Sequence, residues 1–144
     1  MKIFKIFFLA LLFTNQLLAS DYEVRMLNSG PGGIMVFDPP VMKISKGDTI
    51  HFKSVDMAHN SESTKGLVPA NAVGWKGNIN EDISVTLTEE GVYVYQCTPH
   101  LILGMVGVIQ VGRPTNLDEI KGNIGSMTFA VNAERLQSYI DQVN

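Results

Sequence analysis

The residues with the most chemistry in this sequence lie in one short string, Tyr95-Gln96-Cys97-Thr98-Pro99-His100-Leu101-Ile102-Leu103-Gly104-Met105. A thiol, an imidazole and a thioether fall within nine residues of it. A second imidazole, His59, stands upstream in Asp56-Met57-Ala58-His59-Asn60. Two imidazoles and a thiolate in a trigonal set, with a weak thioether on the axis, suit a copper ion that changes oxidation state by one electron. The thiolate donates strongly, imidazole binds both Cu(I) and Cu(II), and soft sulfur ligands favour Cu(I). Taken singly, none of these residues points to a metal. A lone Cys is usually a small buried hydrophobe, and a Met usually fills a gap in a core. The joint spacing, Cys-x2-His-x4-Met with an upstream His-Asn, is far more specific. His51 is set aside, because it faces away from Ile50 and Phe52 on its strand and has no partner motif.

Ligands spread this way need a rigid frame. The stretch from Tyr22 to Gly112 reads as all-β. Tyr22, Val24 and Met26 alternate with Glu23, Arg25 and Leu27. Met35-Val36-Phe37 ends at Asp38-Pro39-Pro40, and Val41 to Ile44 closes at Lys46-Gly47-Asp48. Thr49 to Val55 alternates, as do Ile83, Val85 and Leu87, and Val92, Val94 and Gln96 oppose Tyr93, Tyr95 and Cys97. Met105 to Val111 makes the last strand. Short alternating runs cut by Gly, Pro and Asp turns predict a β-sandwich or barrel. The Cys97–Met105 string then becomes a loop held by a strand at each end. Residues 60–80 break the pattern and are expected to form a long connection across one end, with one helical turn near Val68–Ala72. After the last strand the period changes. Asn116 with Glu119 resembles a helix start, and Asn132 opens a second helix on which Leu136, Tyr139, Ile140 and Val143 share a face. Helices are expected at about 116–125 and 132–143, docked on the sandwich.

With 144 residues, 45% hydrophobic and 17% charged, the chain fits one globular domain with one real core. A net charge of -3 does not suggest nucleic acid as a partner. Lys2 and Lys5, an apolar run from Ile6 to Phe13 and Leu17-Leu18-Ala19-Ser20 have the layout of a secretory signal peptide. Cleavage after Ala19 and after Ser20 both fit. The apolar run is too short to span a bilayer, which takes about 20 residues, so no stable membrane anchor is expected. The expected division is a signal peptide at 1–20 and a single domain at 21–144. Removing the leader leaves 9 basic and 14 acidic residues, a net of about -5. The one cysteine cannot form an internal disulfide, and an exported lone thiol is at risk unless buried or bound.

These motifs together resemble the cupredoxin family, and within it the pseudoazurins. The resemblance runs from about Tyr22 to Val143. It rests on Met26-Leu27-Asn28, Met35-Val36-Phe37, Gly47-Asp48-Thr49, Val55-Asp56, His59-Asn60, Ile79-Asn80-Glu81, Cys97-Thr98-Pro99-His100 and Gly104-Met105. It implies a Greek-key sandwich of about eight strands with two C-terminal helices and one type 1 copper. By position, it implies His59, Cys97, His100 and Met105 as ligands. It implies that Asn60 gives a backbone N–H to the Cys97 sulfur, that Pro99 stiffens the loop, and that Met35 packs beside His100. It further implies a periplasmic electron shuttle and not an enzyme. Its partners would be a cytochrome donor and a reductase such as copper nitrite reductase or another denitrification enzyme. The chain departs from that family at Leu103, where relatives carry Met. It also has Ser29, Met57 and Gln96 where relatives place lysines. An apolar docking patch of Met57, Leu101 and Leu103 is expected around His100, on a monomer.

Two other chemistries compete. A copper-trafficking or copper-buffering module would use the same ligands but must release the metal. A hydrolytic zinc site keeps a position open for water and needs an acid or base nearby; here a thioether takes that position and the loop holds no Asp or Glu.

Overall fold

Alternation along each strand decides which face enters the core. The computed structural model describes residues 18–144; the expected leader lies outside the described residues through position 17. Eight strands follow in order: β1 (Asp21–Gly30), β2 (Gly33–Asp38), β3 (Val41–Ile44), β4 (Thr49–Ser54), β5 (Glu62–Ser63), β6 (Ile83–Thr86), β7 (Gly91–Gln96) and β8 (Val106–Val111). They form two four-stranded sheets, β2-β1-β4-β6 and β3-β8-β7-β5. Pairing is antiparallel except for β1 with β4 and β3 with β8, which are parallel. Parallel neighbours cannot be joined by a tight hairpin, so the chain crosses between the sheets to make them.

In β1, Val24 and Met26 are buried while Glu23 and Arg25 face solvent. The same logic fills the space between the sheets with Phe37, Ile50, Phe52, Tyr93, Tyr95, Ile109 and Val111. Strands β7 and β8 are buried on both faces. Their inward residues reach the inter-sheet core, whereas Val92, Val94, Val106 and Val108 enter a second core. The C-terminal segment covers that second face. Ile120 of α1 (Leu117–Asn123) and Leu136, Tyr139 and Ile140 of α2 (Glu134–Ile140) pack there with Val143, as the shared helical face predicts. Burial of these apolar side chains drives the docking, since each helix of seven residues is too short to hold itself together in water.

The structure corrects three expectations. Residues 60–80 are not only a connection: Glu62–Ser63 pair with Tyr95–Gln96 as an edge strand, and Pro69–Ala72 close a single turn. Leu67 anchors this stretch through the bond from Val94 N–H to its carbonyl. Asn116 stands at the start of α1 but does not cap it. Its side chain accepts from Val92 N–H (2.7 Å) and donates to the Val92 carbonyl (3.0 Å), pinning the helix to β7. Ahead of α2, the Asn132 side chain donates to the Leu103 carbonyl at 3.0 Å. Both helices are shorter than the periodicity suggests. Gly122 and Gly125 weaken the first, which passes into a 3-10 turn at Ile124–Ser126.

Candidate metal centre

Three donors converge at one end of the sandwich. Cys97 leaves the end of β7, and the chain returns to β8 at Val106 through a loop that closes on itself. His100 N–H bonds the Cys97 carbonyl (3.2 Å) and Met105 N–H bonds the His100 carbonyl (3.2 Å). Cys97 N–H in turn bonds the Met105 carbonyl (3.0 Å). Leu101–Leu103 form one 3-10 turn, ended by Gly104 at φ +77. A side chain on Gly104 would also meet Asn132 Cβ at 2.9 Å, so glycine is required there on two counts. His59 arrives from the chain after β4. Asn80 grips it: Asn80 N–H bonds the His59 carbonyl at 2.8 Å, and its side-chain oxygen accepts the N–H of Ala58.

Backbone strain gathers here. Among the described residues, four non-glycine residues have positive φ: Met35 (+48), Ala58 (+72), Asn80 (+65) and Asn132 (+55). Ala58 and Asn80 hold His59, and Asn132 holds Leu103. Such conformations persist where the surroundings over-determine them, and they cluster at working sites.

Cys97 Sγ lies 3.7 Å from His59 Nδ1 and 3.5 Å from His100 Nδ1, and the two Nδ1 atoms are 3.0 Å apart. Metal–nitrogen bonds of about 2.0 Å and metal–thiolate bonds of about 2.3 Å, at angles of about 100–120° around one ion, set donors about 3–4 Å apart. The triangle therefore has the size of a single coordination site. Met105 is fully buried in the same core cluster as Cys97. The donor set, with two imidazoles, one thiolate and one thioether, fits copper. These four side chains are arranged as a type 1 copper site.

Charge in the site is set by burial. Burial pushes the Cys97 thiol up, while the backbone N–H groups of Asn60 and His100, aimed at the sulfur, pull the other way. His59 is held below its ordinary range, first by burial and then by the neighbouring His100, with Asp56 opposing. A buried neutral imidazole is the form that ligates a metal. Its orientation is fixed as well. His59 Nε2–H donates to Asn28 Oδ1 at 3.0 Å, which leaves Nδ1 free to face the sulfur.

Asn60 links the two ligand loops. Its side-chain oxygen accepts Thr98 N–H (2.7 Å), and its amide donates to the Gly77 carbonyl and to Thr98 Oγ1 (3.0 Å each). Thr98 Oγ1 donates onward to Glu62, which pairs with Lys76. Pro99 sits on the exposed outside of the Cys97–His100 turn, and Met35 is half-buried against the inter-sheet core. Of the expected patch residues, Met57 is 76% exposed, whereas Leu101 and Leu103 are half-buried. Ile102, which the sequence did not single out, is 47% exposed and is the apolar tip of the loop. Asn28 and Asn80 stand in the sequence only within the strings that carry the family resemblance, which give neither a role; the structure supplies it, because Asn28 accepts from His59 Nε2–H and Asn80 accepts from the N–H of Ala58.

His51, set aside on sequence, sits on the outer sheet face between Ser84 Oγ (2.7 Å) and Asp21 Oδ1 (3.1 Å). Among the described residues no helix is long and apolar enough to cross a membrane.

Comparison with known proteins agrees with this geometry. The model of the copper binding proteins, plastocyanin/azurin family, matches residues 24–112. A putative pseudoazurin of Rhizobium leguminosarum bv. viciae is 47% identical over 106 residues, covering 73% of this chain and 70% of that protein. The pseudoazurin of Paracoccus pantotrophus is 45% identical over 104 residues, 72% of each chain. Among solved structures, pseudoazurin from Methylobacterium extorquens AM1 superposes with a TM-score of 0.80 at 37% identity, covering 86% of this chain and 99% of that one. Native pseudoazurin from Hyphomicrobium denitrificans gives 0.79 at 35% identity, over 86% and 98%. With a matching family model over its strands, relatives of this identity and one three-donor site in the right place, the chain belongs to the plastocyanin/azurin family of copper-binding proteins and, within it, to the pseudoazurins.

Proposed function

We propose that this chain is an exported electron carrier that works in the periplasm. His59, Cys97, His100 and Met105 hold one copper, and a partner docks where the loop tip meets solvent. Blue-copper electron transfer is the work of the family, whose members are carriers and not enzymes. Bound copper supplies a reversible one-electron couple between Cu(II) and Cu(I). The protein's part is to keep the donors still, exclude water and leave one route in.

The observation that carries this reading is an asymmetry between the two imidazoles. His59 is fully buried, and His100 is only half-buried. A partner can therefore approach the site at His100 alone. Its chain neighbours Pro99 and Ile102 are exposed and Leu101 and Leu103 are half-buried, and Met57, two residues before His59, is exposed as well. A small apolar surface with few fixed charges suits brief docking, since weak encounters release quickly. The partners in this reading are periplasmic redox proteins, with a cytochrome as donor and copper nitrite reductase or another denitrification enzyme as acceptor. The copper-trafficking reading is less favoured, because a buried donor set tied down by Asn28, Asn60 and Asn80 resists release.

A potentiometric titration of the copper-loaded protein tests the proposal. One reversible electron per chain is expected. Absence of a reversible couple, with rapid handover of copper to an apo acceptor, would overturn it in favour of trafficking.

A further inference from the structure

The ligand loop is braced from outside by the C-terminal segment. Three successive loop carbonyls each meet a different donor there. Ala130 N–H bonds the Ile102 carbonyl (2.8 Å), Asn132 Nδ2 bonds the Leu103 carbonyl (3.0 Å), and Arg135 Nη1 bonds the Gly104 carbonyl (2.9 Å). Gly104 lies directly beneath Asn132 and the Val131 carbonyl. The segment lies beyond residues 24–112 that the family model matches.

Arg135 is the unusual member. It is only 8% exposed, and among the described residues no carboxylate pairs with it. Among the described residues, its guanidinium hydrogen-bonds only to backbone carbonyls. Nη1 reaches Met35 (3.0 Å), Ile34 (3.4 Å) and Gly104, and Nη2 reaches Ile34 (3.3 Å) and Gly32 (3.4 Å). Burying a cation is costly unless hydrogen bonds replace its water. The carbonyls of β2 and of the ligand loop are therefore held at distances the planar fork dictates. A lysine could not reproduce that fork.

We propose that Arg135 is a positioning residue for the metal centre. By gripping Gly104 and Met35 together, it fixes where Met105 enters the site and holds β2 against the loop. This rests on the copper-carrier reading. The alternative is that Arg135 serves only to dock α2.

Arg135→Lys, Arg135→Met and Asn132→Ala test this on two readouts. The first is amide exchange of Gly104 and Met105 in the metal-free protein, where both amides are bonded inside the loop. Loss of a charge-assisted bond to the Gly104 carbonyl is expected to speed exchange at these two amides about tenfold or more, beyond any change at α2. The second is the thiolate-to-copper absorption of the loaded protein. Its band ratio is expected to shift in Arg135→Lys, because charge is kept and the fork is lost. Should Arg135→Met fail to fold, Arg135→Lys and Asn132→Ala carry the test. Folded variants with a lower melting temperature but unchanged loop exchange and unchanged absorption would overturn the proposal. A parent protein without thiolate-to-copper absorption would instead overturn the copper reading, leaving the exchange result to judge Arg135 alone.

Discussion

Asn60 Oδ1 accepts the backbone N–H of Thr98 at 2.7 Å, joining two loops 38 residues apart that each carry a metal donor. The amide of the same side chain donates to the Gly77 carbonyl. Asn60 and Gly77 are buried, so removing the side chain strands the Gly77 carbonyl, whereas Thr98 is exposed and can turn to water. Asn60→Ala is therefore expected to cost about 2 kcal/mol of stability in the metal-free protein, from one stranded buried group and the lost link between the loops. Urea unfolding checks this. A loss below about 0.5 kcal/mol would mean the link is ornamental.

Asn28 acts on the site by a different route. It holds His59 Nε2–H, and so the direction of Nδ1, while being exposed itself. Asn28→Ala should leave stability almost unchanged yet weaken copper binding by about 10–100-fold, as removal of a ligand's hydrogen-bond partner commonly does. Competition with a chelator of known affinity measures it.

Tyr95 and Gly107 face each other across β7 and β8. A methyl group on Gly107 would lie 2.2 Å from the Tyr95 ring carbon Cζ and 2.3 Å from its hydroxyl. The ring is fully buried against Phe37 and Phe52 and has nowhere to go. Gly107→Ala should lower stability by about 3 kcal/mol or more through overpacking. Thermal unfolding of the single variant, and of its combination with Tyr95→Ala, should show strong coupling between the two positions.

The strands were legible because β-pleating stamps a period of two on the sequence, as at Val24 and Met26. The donor loop was legible because Cys97, His100 and Met105 lie on one short stretch of chain, where spacing alone brings them together. Asn116, Asn132 and Arg135 were not. Each bonds main-chain atoms of distant segments, in one case 100 residues away, and such contacts leave no local pattern. The edge strand at Glu62–Ser63 escaped for a related reason: two residues are too few to show alternation. Nothing in the sequence marks Ile102 as the exposed tip of the loop. A 3-10 turn places i and i+3 on the same side, which turns Ile102 out while Leu101 and Leu103 turn partly in.

Buried phenols set the alkaline limit. Burial pushes Tyr93 above its ordinary range, with the Glu89 charge adding to it, and burial does the same to Tyr139. Above about pH 10 the unfolded chain releases protons that the folded chain keeps, so the unfolded state binds fewer protons and stability falls with rising pH. Below that pH the contribution is fully present. Tyr93→Phe should flatten the decline between pH 9 and about 11 while losing the bond to the Glu89 carbonyl at neutral pH. Urea unfolding across that range reads both effects.

The central claim is that Cys97 completes a copper site with His59 and His100. The visible and EPR spectra of the protein after one equivalent of Cu(II) test it most directly, alongside Cys97→Ser. An intense blue or blue-green colour with narrow copper hyperfine splitting, lost in Cys97→Ser, is the expected result. A pale solution with ordinary tetragonal copper signals, unchanged by Cys97→Ser, would contradict it.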